Sequence, residues 1–247
     1  MPKSRGEACP EQAPEPASVA WSFRLNGRRT DWDWSSGPPD FKDLEPYRRP
    51  ASGAASRHSP VRAFSYTVGG YIELESGLEH DLLRVLDRDP SVTWLVPQPM
   101  RLSWSDAGRR KPCRHTPDLL SIDVDGGVTM WDVKNPEAAS SSSFTDVRDV
   151  TQFACRIHGW SYEVFTGLES THRHNLQWLH AYRRRPSWTP EYEDDVLSAC
   201  TGGLPLGELV TSQPASERLA VVWHLMWTGQ LVVDINQNLT PTTEVRA

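Results

Sequence analysis

At 247 residues, with 38% hydrophobic residues, 20 prolines and a net charge of −6, the chain can form one large or two small self-supporting domains and carries much irregular backbone. No run reaches the roughly 18 apolar residues of a membrane span, and the opening MPKSRGEACPEQAPEP has no apolar secretory core. Cys9, Cys113, Cys155 and Cys200 form no C-x-x-C pair, so the expectation is a cytoplasmic protein with no membrane partner, no disulfide scaffold and no cysteine-based zinc module.

Residues 1 to about 20 are rich in Pro, Glu, Ala and Ser and read as disordered. From Ala20 to Arg62, Trp21, Trp32, Trp34, Phe41 and Tyr47 stand among Pro, Arg and Gly without a clear period. Residues 1–62 are therefore expected to be an irregular arm whose aromatics dock either on this chain's core or on another molecule.

Patterned sequence starts near Phe64. Leu78, Leu82, Val85 and Leu86 recur at helical spacing between Ser76 and Asp87. Val92 to Trp104 is one strand or two, broken by Pro97 and Pro99. Asp118 to Val124 and Val128 to Lys134 are strands joined by the turn Asp125-Gly126-Gly127. Ser140–Ser143 reads as a flexible loop, Phe144 to His158 as a helix and Tyr162 to Thr166 as a strand. Residues 171–185 form a further helix. Residues 63–186 are thus an α/β unit with a mixed central sheet.

After Pro186 the composition changes, and 187–247 reads as a small second domain. Tyr192–Cys200, Pro205–Val210 and Ser216–Trp227 are helices, and Leu231–Ile235 with Thr242–Val245 a hairpin. Three helices and a hairpin make a winged-helix-like layout. This tail carries 2 Lys or Arg against 8 Asp or Glu, and its strongest helix holds Arg218 as its one Lys or Arg. Phosphate neutralisation dominates non-specific DNA affinity, so the tail is expected to bind DNA poorly and to serve packing or protein docking. Local basic clusters lie elsewhere, at Arg28-Arg29, Arg48-Arg49, Arg109-Arg110-Lys111 with Arg114, and Arg183-Arg184-Arg185.

Chemistry concentrates in the central hairpin. Residues i and i+2 of a strand share a face, so Asp132 and Lys134 project together while Trp131 and Val133 face the core. Asp118, at the head of the partner strand, lies beside them. Two carboxylates and an ammonium at one sheet edge suit a hard cation such as Mg²⁺, with Mn²⁺ as its substitute. A third carboxylate comes from the preceding helix, Glu79 ahead of Glu75. Ser76-x-x-Glu79 also fits a capping box, so cap and ligand both stay open for Glu79. An Asp-x-Lys pair also occurs as a plain ion pair on an exposed sheet face. Asp149 and Gln152 are weaker candidates to face the site. His115 lies beside it, and most such histidines only hydrogen-bond locally. His172, His174 and His180 lack a zinc-site frame.

The ordered set Glu75-Ser76-Gly77-Leu78-Glu79, Asp87-Arg88-Asp89-Pro90, Gln98-Pro99, His115-Thr116-Pro117-Asp118 and Asp132-Val133-Lys134 resembles the PD-(D/E)xK nuclease superfamily. More narrowly, it resembles the TnsA-type endonuclease subunits of heteromeric transposases, over about residues 64–186. The resemblance implies a restriction-endonuclease-like core and a catalytic set of Glu79, Asp118 and Lys134. Asp132 stands where many relatives have Glu or Gln, and it and the Val133 carbonyl are carried over as further metal ligands. Implied, too, is an activity: Mg²⁺-dependent hydrolysis of a phosphodiester of the non-transferred strand at transposon ends. The implied partners are double-stranded DNA, a DDE-type recombinase subunit and an AAA+ regulator. Two alternatives remain, a stand-alone restriction or repair nuclease and a non-catalytic adaptor that keeps the fold. The complete Glu, Asp and Lys set speaks against the adaptor.

Overall fold

The computed structural model describes residues 19–48, 60–105, 111–211 and 216–247. The expected disordered start, along with Cys9, Arg49, Arg109 and Arg110, lies outside these residues. The chain begins with strands β1 (Val19–Leu25) and β2 (Arg28–Asp31), followed by single 3-10 turns at Trp34–Ser36 and Phe41–Asp43. Then come β3 (Val61–Ser65), β4 (Gly70–Leu74), helix α1 (Gly77–Arg88), β5 (Val92–Pro97), β6 (Met100–Trp104), β7 (Cys113–His115), β8 (Leu119–Asp123) and β9 (Val128–Val133). Next are α2 (Pro136–Ala139), α3 (Ser142–Arg156), β10 (Ser161–Phe165) and α4 (Ser170–His180). The tail holds α5 (Thr189–Cys200), β11 (Leu204–Pro205), α6 (Leu206–Thr211), α7 (Ser216–Thr228) and β12 (Glu244–Val245).

The fold is mixed α/β. Its central sheet has the order β10-β9-β8-β5, with β9 and β10 parallel and the other pairs antiparallel. A second, antiparallel sheet has the order β2-β1-β6-β7. The two sheets share one apolar cluster, in which Trp21, Met100 and Leu102 meet Leu120, Met130 and Cys155. The chain passes from one sheet to the other at Gln98, which adopts a left-handed φ of 44° between two prolines.

The N-terminal segment corrects the expectation of an irregular arm. Residues 19–31 form a hairpin, and β1 pairs with β6 some eighty residues away in sequence, Trp21 opposite Leu102. Trp21, Trp32, Phe41 and Tyr47 dock on this chain's own core. Trp32 stacks on Trp160 with ring centroids 5.4 Å apart, Phe41 meets the same indole edge-on, and Tyr47 is buried. The serine run is also corrected. Asn135 caps α2 and Ser141 caps α3, each accepting a backbone N–H three residues on, so these polar residues start helices instead of loosening a loop.

In the tail, the expected hairpin of 231–235 with 242–245 does not form as such. Glu244–Val245 pairs with Leu204–Pro205, and Val232 meets Arg246 in a single antiparallel bridge. The apolar cluster of the tail, with Val196, Leu209, Val221 and Leu225, also takes in Leu176 and Leu179 of α4. Arg88, at the C-terminal end of α1, donates to the carbonyls of Met226 and Trp227 at 3.1 Å, filling acceptors that α7 leaves open at its own C-terminus. Arg88→Ala is expected to lower stability by roughly 2 kcal/mol, the scale of charge-assisted hydrogen bonds, as a reduced denaturation midpoint.

Candidate active site

The site grows from the β8–β9 hairpin. Asp123 Oδ1 accepts the N–H groups of Asp125 and Gly127, closing the turn. Gly126 takes a φ of 81°, and a Cβ on Gly127 would meet the Asp123 carboxylate at 2.4 Å. That turn fixes a register with Leu119 opposite Trp131, so Asp118, one step further, comes alongside Asp132. A slip of one residue would send Asp118 to the opposite face.

Asp118 is held from several sides. Its N–H donates to the Trp131 carbonyl at 2.8 Å, and its Oδ2 accepts the Val133 N–H at 2.7 Å and Lys134 Nζ at 3.0 Å. Lys134 Nζ also donates to the Val133 carbonyl at 3.0 Å and to Asp132 Oδ1 at 3.3 Å. Burial works against the Lys134 charge, but Asp118 and Asp132 outweigh it and hold the ammonium above the ordinary lysine range. Asp118 moves the other way for a carboxylate: burial, with the Asp132 charge, raises it against the pull of Lys134.

Asp132 is fully buried. Its Oδ2 accepts His115 Nε2 at 2.7 Å and the Tyr162 hydroxyl at 2.6 Å. Burial opposes its ionisation, yet these hydrogen bonds and the nearby Lys134 charge prevail, and its carboxyl lies below the usual range. The Asp132–Lys134 pair is therefore an internal network and not an ion pair on an exposed face.

Glu79 stands one turn into α1, where Ser76 is the N-cap and its hydroxyl oxygen accepts the Glu79 N–H. The Glu79 carboxylate accepts the Glu75 N–H at 2.8 Å and the Ser76 hydroxyl at 2.9 Å. The cap is real, though its backbone partner is Glu75 and not Ser76. Glu79 nevertheless sits with the other acids, since ligand oxygens of Glu75, Glu79 and Asp118 all lie within 4.8 Å of one another. Burial first, then the charges of Asp118 and Glu75, push the Glu79 carboxyl up to about 7. Among the described residues, no other group of three metal-ligating side chains comes together, His172, His174 and His180 included.

Above these acids opens a cleft of about 450 Å³. Glu75 and Asp118 line it together with Arg48, Arg101, Arg114, His115 and Lys134, so an acidic floor sits inside a cationic wall. Arg101 is pinned there: its guanidinium lies 4.5 Å from the Tyr47 ring centroid and donates to the Tyr47 hydroxyl. A hollow of about 500 Å³ lined by Tyr71, Trp94 and Glu45 lies elsewhere and has no such acid group.

Of the residues picked from sequence, Glu79, Asp118 and Lys134 come together, with the Val133 carbonyl at the same rim. Asp132 is not one of the three grouped acids, and its oxygens accept from His115, Tyr162 and Lys134. Glu75, ranked below Glu79 on sequence, takes the third carboxylate position, and its spacing four residues before Glu79 was the available signal. Asp149 pairs with Arg148 and Gln152 is exposed; neither lines the cleft. Sequence reasoning missed Arg101 and Tyr162, which carry no motif. Cys155 is buried with its thiol pushed up to about 12 by burial, a packing residue and not a nucleophile. No protein-family model matches the chain, and no curated protein matches it. Among the described residues, no helix is long and apolar enough to cross a membrane.

Proposed function

We propose that this protein is a divalent-metal-dependent DNA endonuclease with a PD-(D/E)xK core. In this reading it is the nuclease subunit of a heteromeric transposase, cutting the non-transferred strand beside a DDE-type recombinase, with an AAA+ regulator as a further partner. The observation that carries the nuclease reading is the juxtaposition of Glu75, Glu79 and Asp118 with Lys134, 3.0 Å from Asp118, beneath a wall of arginines. The transposase assignment rests on the sequence resemblance alone.

The residues fit a hard cation. All three side chains offer carboxylate oxygens, and Glu79, driven up to about 7 by burial and neighbouring negative charge, marks a place where positive charge is wanted. Glu75, Glu79 and Asp118 would hold the ion, with the Val133 carbonyl near them. A bound Mg²⁺, or Mn²⁺ in its stead, supplies Lewis acidity and an acidified water. Lys134, kept cationic by Asp118 and Asp132, acts by charge and by orienting the attacking water and not as a base. Asp132 positions Lys134, and His115 and Tyr162 position Asp132.

The tail reads as a winged-helix-like module that docks protein. Arg218 is buried, donates to the Leu209 carbonyl and pairs with Asp195, so the one Lys or Arg of α7 is spent internally.

The test is a nicking assay on duplex DNA with full-length protein, with Mg²⁺ or a chelator, alone and with the recombinase. Asp118→Asn is the informative variant, because it keeps an acceptor for the Val133 N–H and so preserves the hairpin. Mg²⁺-dependent nicking that falls to background in Asp118→Asn is expected. Nicking by that variant at the wild-type rate would remove Asp118 from the chemistry.

A further inference from the structure

We propose that Arg48 is a counter-ion that leaves Glu75 for a DNA backbone phosphate entering the cleft, so that phosphate and divalent cation bind there with positive coupling. The inference rests on the nuclease reading above and concerns how that same site is loaded.

Arg48 Nη2 lies 3.0 Å from Glu75 Oε2, and this is its one ion pair among the described residues. Both side chains line the cleft. The Arg48 side chain is 46% exposed and that of Glu75 24%, so water and ligand reach the pair. Exposed pairs of this kind hold weakly.

Two other cations of the cleft contrast with it. Lys134 is engaged by Asp118, Asp132 and the Val133 carbonyl, and Arg101 by the ring and hydroxyl of Tyr47. The chain just before Arg48 is anchored, for Tyr47 is buried and its N–H donates to the Gln98 carbonyl at 2.8 Å. Arg48 is thus a half-exposed side chain on a fixed base, lining the same cleft as Arg101 and Arg114.

Guanidinium groups bind phosphate through paired charge-assisted hydrogen bonds. A phosphate among Arg48, Arg101 and Arg114 offers Arg48 a partner better than a solvated carboxylate. Once Arg48 turns to it, the Glu75 carboxylate, grouped within 4.8 Å with the ligand oxygens of Glu79 and Asp118, loses its counter-ion. The acid group then carries more uncompensated charge and takes a cation more strongly. By thermodynamic reciprocity, a cation on the acids releases Arg48 to the phosphate.

The experiment measures Mn²⁺ binding to the full-length protein without DNA by titration calorimetry, for wild type, Arg48→Gln, Arg48→Lys and Asp118→Asn. Arg48→Gln is expected to bind Mn²⁺ roughly fivefold more tightly than wild type, at the low end of coupling between linked sites. Arg48→Lys should stay near wild type. Without metal, the slope of log duplex affinity against log salt should fall by about one in Arg48→Gln, the loss of one phosphate contact. Mn²⁺ affinity unchanged or weaker in Arg48→Gln, or an unchanged salt slope, overturns the exchange. If wild type shows no Mn²⁺ binding that Asp118→Asn removes, the metal-site reading fails and the exchange with it. Asp118-dependent binding that ignores Arg48 sinks the exchange alone.

Discussion

Asp132→Ala is expected to lose about 3–5 kcal/mol of folding stability, the cost of breaking a buried ion pair from one side. Asp132 is fully buried and accepts from His115, Tyr162 and Lys134. Removing it takes the buried acceptor away from His115 and Tyr162, and leaves Lys134 with Asp118 and the Val133 carbonyl alone. Tyr162 shows how firmly the network is set, since burial and the Asp132 charge hold its hydroxyl well above the ordinary phenol range. The sign with pH follows from the direction in which Asp132 is displaced. Its folded carboxyl lies below the unfolded value of 3.8, so its stabilisation is present above that value and is lost as pH falls through the folded one. Urea unfolding at neutral pH measures the loss. A difference below about 1 kcal/mol would mean that Lys134 and His115 do not depend on this carboxylate.

Glu79→Gln is expected to do the reverse. It should make the metal-free protein more stable than wild type at pH 8, by on the order of 3 kcal/mol, since each tenfold change in proton affinity is worth about 1.36 kcal/mol. The Glu79 carboxyl is buried and raised from 4.5 to about 7. Between those values the folded chain holds a proton that the unfolded chain has released, so stability drops as pH climbs from 4.5 to 7 and then levels off. Gln keeps an acceptor for the Glu75 N–H and a donor toward Ser76 without the charge. The two proteins should melt alike near pH 4.5 and separate above it, in thermal scans with a chelator present. Equal melting temperatures at pH 5 and pH 8 would show that Glu79 is not strained by its surroundings. The same substitution should abolish stabilisation by Mn²⁺, so the residue that weakens the empty fold is the one that loads it.

What could be read in the sequence was local. The α1 cap at Ser76, the β8–β9 turn and the pairing of Asp132 with Lys134 each follow from residues a few positions apart, and Asp118 is brought in by a single hairpin. The N-terminal strands stayed hidden because β1 finds its partner in β6, and its alternation is blurred by Ser22, which is buried beside Trp21 and Phe23. Arg101 and Tyr162 have no local signal, since their roles exist only once Tyr47 and Asp132 lie beside them. The hydrogen-bond network around Asp132 was hidden for a related reason. An i, i+2 rule assigns a face, but only neighbouring strands decide whether that face is open, and here β7 and β10 bring His115 and Tyr162 onto it.

Arg88 gives the tail a hold on the chemistry. One end of α1 bears Glu79 among the acids, and the other is bolted through Arg88 to the last carbonyls of α7. Nine residues at 1.5 Å each put about 14 Å of stiff helix between them. A protein that grips the tail grips the far end of that helix, and with Leu176 and Leu179 shared between the two parts, the chain offers no clean place to cut them apart.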